Sequence, residues 1–193
     1  LLALIRQHGL ATLQAAAEDL MDYSERRLRA AIAAVPDGDY SATTLIDGYL
    51  DDPDPLRHNL AISATVRVRG DALTVDLTGT APQLPDKPIN MPLVGTVDCA
   101  VWLTVRSILL DAAVVGPVPQ NEGLTRPISI VAPLGCLANP IFPAPVIARF
   151  CPGNALADTV MKALAQAVPR QVSAGIGNLR VVALSGLNQA NHW

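Results

Sequence analysis

The stretch Ile62-Ser63-Ala64-Thr65-Val66-Arg67-Val68-Arg69, then Gly70-Asp71, then Leu73-Thr74-Val75-Asp76-Leu77-Thr78, decides the fold class. In both runs apolar and polar residues alternate, the period of a strand with one buried and one wet face. Gly-Asp between them is a hairpin signal, because glycine takes the positive φ that a tight turn demands. Upstream, residues 40–50 read as a third strand of the same sheet, separated from the hairpin by the acidic loop Asp51-Asp52-Pro53-Asp54-Pro55.

Further out, the period changes to that of a helix. Leu10, Leu13, Ala17, Leu20, Leu28, Ile32 and Val35 fall near helical spacing, and Pro36-Asp37-Gly38 stops that helix. Asp22/Arg26 and Glu25/Arg29 are acid-before-base pairs at the spacing that supports a helix. Residues 79–92 hold Pro82, Pro85, Pro88 and Pro92 without periodicity and read as a long loop. Residues 94–111 read as a helix apolar nearly all round, hence buried, with Cys99 as a small core residue. Residues 116–127 read as a loop, 128–132 as a short strand and Pro133-Leu134-Gly135 as a turn. After an irregular, Pro-rich stretch, Asn154 is placed to cap a helix running to Val168, and residues 179–184 read as a final strand. The sum is an α+β fold: antiparallel sheet elements with packed helices, one of them buried. Three segments are expected: helical residues 1–38, the β hairpin region and Pro-rich loop at 39–92, and a mixed region at 93–193. They read as one continuous piece of a larger multidomain subunit, cut at both ends.

Composition narrows the function classes. Half of the 193 residues are hydrophobic and 16% are charged, too apolar for a disordered chain. The net charge is -3 with both signs mixed, so no basic stripe favours nucleic acid and no polybasic run favours a membrane. Asp98 and Arg106 inside the longest apolar run argue against a membrane span. Cys99, Cys136 and Cys151 are odd in number and widely spaced, which fits reduced thiols in a cytoplasmic protein.

Local chemical motifs are sparse. His8, His58 and His192 are isolated, and neither a metal-ligand spacing nor a Walker A loop occurs. Gly175-Ile176-Gly177 lacks the third glycine of a nucleotide loop, and Ser185-Gly186 lacks the glycine of a nucleophile elbow at Ala183. Polar residues within irregular or apolar stretches are the better candidates for ligand contact: Asn121, Glu122 and Arg126 in one loop, and Arg149, Asn154 and Asp158 around a helix start. A helix start offers free N–H groups to an anion or a polarised carbonyl. The plainer readings stand beside these: Glu122 and Arg126 pair with each other, Asn154 only caps, and Asp158 is a favourable first-turn charge. Asp76 reads as a member of a solvated strand face.

Several blocks in order carry a resemblance. They are Asp22-Tyr23-Ser24-Glu25-Arg26-Arg27 with Ile32 to Tyr40, Leu73 to Gln83, Pro119 to Ile128, Ala132 to Pro140, Gly153-Asn154, and Ala163 to Pro169. Together they resemble a middle segment of the large B-type chain of the hydantoinase B/oxoprolinase family. The resemblance implies an ATP-dependent enzyme that opens a hydantoin, 5-oxoproline or lactam ring, or in a related branch carboxylates a ketone. It implies an A-type partner that carries the nucleotide site, and phosphorylation of an amide or enolate oxygen. It also implies a divalent metal held by residues outside this segment, so that ATP and metal belong to the full complex and neither to this segment alone. Asn121, Arg126, Arg149 and Asn154 are then expected at carbonyl or phosphate groups, with Glu122 and Asp158 anchoring loops. The remaining expectation is a structural segment that holds the metal-bearing portion against the partner.

Overall fold

Gly70 takes φ +58° and starts the turn that joins strand β2 (His58–Arg69) to strand β3 (Ala72–Asp76). The two pair antiparallel, with Val68 opposite Leu73 and Val66 opposite Val75. The turn is tied to its surroundings: Asp37 accepts from the Gly70 N–H at 2.8 Å. The computed structural model describes residues 1–174. The strand expected at 179–184, the glycine pair at 175 and 177, Ser185 and His192 lie outside the described residues.

Strand β1 (Gly38–Gly48) pairs antiparallel with β2, Ala42 opposite Ala64. Strand β4 (Ile128–Val131) pairs parallel with β3, Val75 opposite Ile130, which completes a sheet in the order β1-β2-β3-β4. The sheet is therefore mixed, not purely antiparallel. A parallel neighbour needs a long crossover, and everything between residues 77 and 127 supplies it. Leu60, Ile62, Ala64, Val66 and Val68 of β2 form the apolar face with Leu73 and Val75. The opposite face is polar: Ser41 bonds Thr65 at 2.8 Å, Thr43 bonds Ser63 at 3.0 Å and Arg67 meets Asp76 at 2.8 Å. Asp76 is thus held in an ion pair on that face. Its carboxyl lies below the usual range, first through the Thr78 side chain and N–H and then through Arg67.

Five helices complete the described structure: α1 (Leu2–His8), α2 (Leu10–Ile32), α3 (Asp98–Leu109), α4 (Ala112–Val115) and α5 (Phe150–Leu164). Helix α5 lies across β1 and β2, burying Leu156, Val160 and Leu164, and α3 packs on α5. Each such side chain removed from water contributes about 1.5–3 kcal/mol. The helix expected at 94–111 is interrupted. A π turn at Leu93–Val97 contains non-helical Val94 and Gly95, the latter at φ +90°, and Asp98 then accepts from the Gly95 and Cys99 N–H groups at 2.7 and 2.6 Å. Helix α3 buries Val101, Val105 and Ile108 on one face only; Leu103 and Cys99 are exposed on the other. Cys99 is therefore not a core residue.

The Pro-rich loop at 79–92 is zipped to residues 133–148. Gln83 N–H donates to Gly135 O, Met91 N–H to Leu137 O and Ala148 N–H to Pro88 O, at 2.9, 2.7 and 2.8 Å. At the other end of β1, Gly48 takes φ +72°, and a Cβ there would stand 2.2 Å from the Arg57 carbonyl oxygen. That carbonyl accepts from the Tyr49 N–H at 2.9 Å, so it cannot withdraw freely. Gly48→Ala is expected to cost about 2 kcal/mol or more, through overpacking and positive φ together. Denaturant unfolding of the intact protein measures it.

Candidate functional site

The six residues singled out from the sequence fall into different places. Asn121 caps a 3-10 turn, Glu122–Leu124, by accepting from the Gly123 N–H at 3.0 Å, and its amide donates to Leu20 O of α2 at 3.3 Å. Arg126 does not pair with Glu122. It reaches across to α2, where Asp22, Glu25 and Glu18 meet its guanidinium at 2.6, 3.0 and 3.4 Å. Asp22 is thereby taken from the expected Asp22/Arg26 pair, whereas Glu25 and Arg29 do pair, at 2.7 Å. Asn121 and Arg126 are thus both committed to fastening this loop onto α2.

The cluster has an electrostatic signature. Hydrogen bonds from Arg126 first, and Arg29 second, hold the Glu25 carboxyl below its ordinary value of 4.5. A carboxyl depressed in the folded state contributes stability above its unfolded pKa and loses it as pH falls through the folded value. Arg126→Ala is therefore expected to lower stability at neutral pH, with the gap to wild type narrowing as pH drops below about 4.5. Melting midpoints of both proteins across the acid range test it; a constant gap would contradict it.

Arg149 and Asn154 come together elsewhere. Helix α5 begins at Phe150 with Arg149 in the N-cap position, so Asn154 is not the cap but lies within the helix. Pro152 sits in the first turn, where a missing N–H costs nothing, and so does not delay the start. Asp158 follows one turn on, past the first turn, beside Met161 and Lys162. Arg149 and Asn154 line a groove of about 340 Å³ between α5 and the π turn with α3, whose other walls include Thr96, Cys99, Leu103 and Phe150. Arg149 lies over the Phe150 ring, 4.8 Å from its centre, and donates a long 3.4 Å hydrogen bond to Val146 O. Burial, with the Asp98 charge second, pushes the Cys99 thiol up, so it stays protonated at neutral pH and is a poor nucleophile. Thr96 and Cys99 are not marked by the sequence because they sit in a run that reads as core.

A second concavity, about 520 Å³, adjoins the acidic loop. Its cation is taken up by a local network: Arg57 and Lys87 each meet Asp52 at 3.1 Å, Arg57 meets Asp86 at 2.8 Å, and Lys87 lies 4.9 Å from the Tyr49 ring centre, while Asp47 and Asp51 of the lining join no ion pair among the described residues. Among the described residues no group of three or more His, Cys, Asp or Glu is placed to hold a metal ion. His58 instead hydrogen-bonds the Asp52 carbonyl at 2.7 Å. No described helix is long and apolar enough to cross a membrane.

This arrangement is similar to known proteins. A chain assigned as the B-type subunit of a D-/L-hydantoinase in Pseudomonas sp. (strain NS671) is 64% identical over 190 residues, covering 98% of this chain and 32% of that one. The crystal structure of the ATP-dependent caprolactamase from Pseudomonas jessenii superimposes with a TM-score of 0.75 at 32% identity, over 88% of this chain and 28% of that one. An acetone carboxylase solved without nucleotide shares the fold, with a TM-score of 0.72 at 15% identity over 90% of this chain and 24% of that one. The chain thus spans about a third, or less, of the length of these proteins. The hydantoinase B/oxoprolinase family model matches residues 1–193, and the chain belongs to that family.

Proposed function

We propose that this chain is a segment of a B-type subunit that opens a cyclic amide at the expense of ATP, in concert with an ATP-binding A-type subunit or domain. One observation carries this reading: 64% identity, across 98% of the chain, to a protein assigned as the B-type chain of a hydantoinase. The caprolactamase likeness supports the same reaction class. A cytoplasmic location belongs to the same proposal.

In the reaction the ring C–N bond breaks and one water gives a hydroxyl to the carbonyl carbon and a proton to the nitrogen, while a second water is consumed as ATP becomes ADP and phosphate. A resonance-stabilised amide resists water alone, so coupling to ATP is chemically apt. Within this segment the role proposed for Arg149 and Asn154 is contact with substrate or product, and for Asn121, Glu122 and Arg126 the support of the loop on α2.

The test is turnover by the full-length protein with its A-type partner on hydantoin, 5-oxoproline, simple lactams and ketones, each with and without bicarbonate. Ring-opened product without bicarbonate is expected. Turnover confined to a ketone with bicarbonate would transfer the protein to the carboxylating branch and overturn this reading.

A further inference from the structure

We infer that the groove between α3 and α5 binds the carboxylate that ring opening releases, with Arg149 on the carboxylate and Asn154 on the released amine or ureido group. This rests on the ring-opening reading above and assigns it a product site.

Four observations carry it. The groove, at about 340 Å³, lies within the range of about 300–1,000 Å³ usual for small-molecule sites. Ala100, Leu103, Phe150 and Ala157 give it apolar walls, which suit the carbon skeleton of a small ring or its opened chain. Arg149 has no carboxylate partner among the described residues, and beyond a long contact to Val146 O its donors are free to fork onto one. It also stands at the start of α5, where the helix dipole adds positive potential. Asn154 forms no side-chain hydrogen bond among the described residues, and its carboxamide can accept from a released ammonium or both donate to and accept from a ureido group. The chemistry supplies the matching ligand: every hydrolysed cyclic amide yields a carboxylate, and hydantoin yields one that also bears a ureido group.

Gly153 offers a way to close the site without damaging the fold. A Cβ there would lie 3.6 Å from Thr96 Cγ2, an ordinary contact, and would project into the groove. Within a helix Gly→Ala is favourable, so Gly153→Ala is expected to fold and yet to obstruct the ligand.

Cys99 lines the same groove and is exposed, so its alkylation reports occupancy. The experiment uses peptide mass spectrometry to follow iodoacetamide labelling of Cys99 in the full-length protein at a fixed alkaline pH, where more of the raised thiol is ionised. The probes are N-carbamoylglycine (opened hydantoin) and glutamate (opened 5-oxoproline), with acetate as a control. Saturable protection by at least one probe and none by acetate is expected. Arg149→Met should raise the concentration for half-protection about tenfold or more, the loss of a charge-assisted bond, while Cys99 labels at its normal rate without ligand. Gly153→Ala should also weaken protection. Two results would overturn the inference: no protection by either probe, or protection undiminished in Arg149→Met. Ring-opening turnover in the same preparation separates the two ideas. Turnover without protection removes the groove assignment alone, whereas protection without turnover on any cyclic amide keeps the carboxylate site and removes the proposed reaction.

Discussion

Gly123→Ala is expected to destabilise the protein by about 3 kcal/mol or more, at the upper end of what overpacking costs. Gly123 is buried where the 3-10 turn rests directly on the backbone of α2, and a Cβ would stand 1.9 Å from Met21 O and 2.7 Å from Met21 C. A helix backbone cannot yield as a flexible side chain can, so the turn must retreat. Retreat draws Asn121 from Leu20 O and Arg126 from Asp22 and Glu25. The loss should therefore be non-additive with Arg126→Ala, the double variant falling short of the sum. Melting midpoints of the two single variants and the double variant decide it. An unchanged midpoint for Gly123→Ala would mean that the turn does not rest on α2 in this way.

Asn90→Ala is expected to cost roughly 3 kcal/mol, and to do so at the Pro-rich loop. Asn90 is fully buried; its Oδ1 accepts from the Leu84 N–H at 2.9 Å, and its Nδ2 donates to Leu84 O, Lys87 O and Pro145 O at 2.8, 2.9 and 2.9 Å. Alanine leaves the Leu84 N–H, Lys87 O and Pro145 O without the Asn90 partner and Leu84 O with only the Lys87 N–H at 3.3 Å, and a buried unpaired group bears its full desolvation cost. Asn90→Asp keeps the acceptor but loses every donor and places a charge among carbonyls, so it should be no better. Limited proteolysis should then cut within 79–92 or 133–149, the two stretches that Asn90 joins. Resistance equal to wild type would show that the zipper holds without it.

The hairpin is legible because period-two alternation and a glycine turn are written locally. The partner of β4 is not: Ile128 lies beside Leu73 only after the chain has crossed through α3 and α4, and no local signal encodes a parallel pairing. The start of α5 reads too late in the sequence because Pro152-Gly153 looks like a breaker, whereas proline is tolerated in a first turn. For Arg126 the nearest acid in sequence, Glu122, is a misleading partner. Glu18, Asp22 and Glu25 share one face of α2 at helical spacing, and that unbalanced acidic stripe is the signal for a distant cation. The groove is half legible. Arg149 and Asn154 stand out as polar residues near a helix start, but Cys99 and Leu103 lie on a helix so apolar that nothing in its pattern marks the face left uncovered.

The stoichiometry of coupling tests the proposed reaction most sharply: ADP released per ring-opened carboxylate by the full-length protein, with and without its A-type partner, in bicarbonate-free buffer. A fixed ratio of ADP to product that needs both proteins is the predicted result. Ring opening that proceeds without ATP or without the partner, or ADP release that never yields an opened ring, would contradict it.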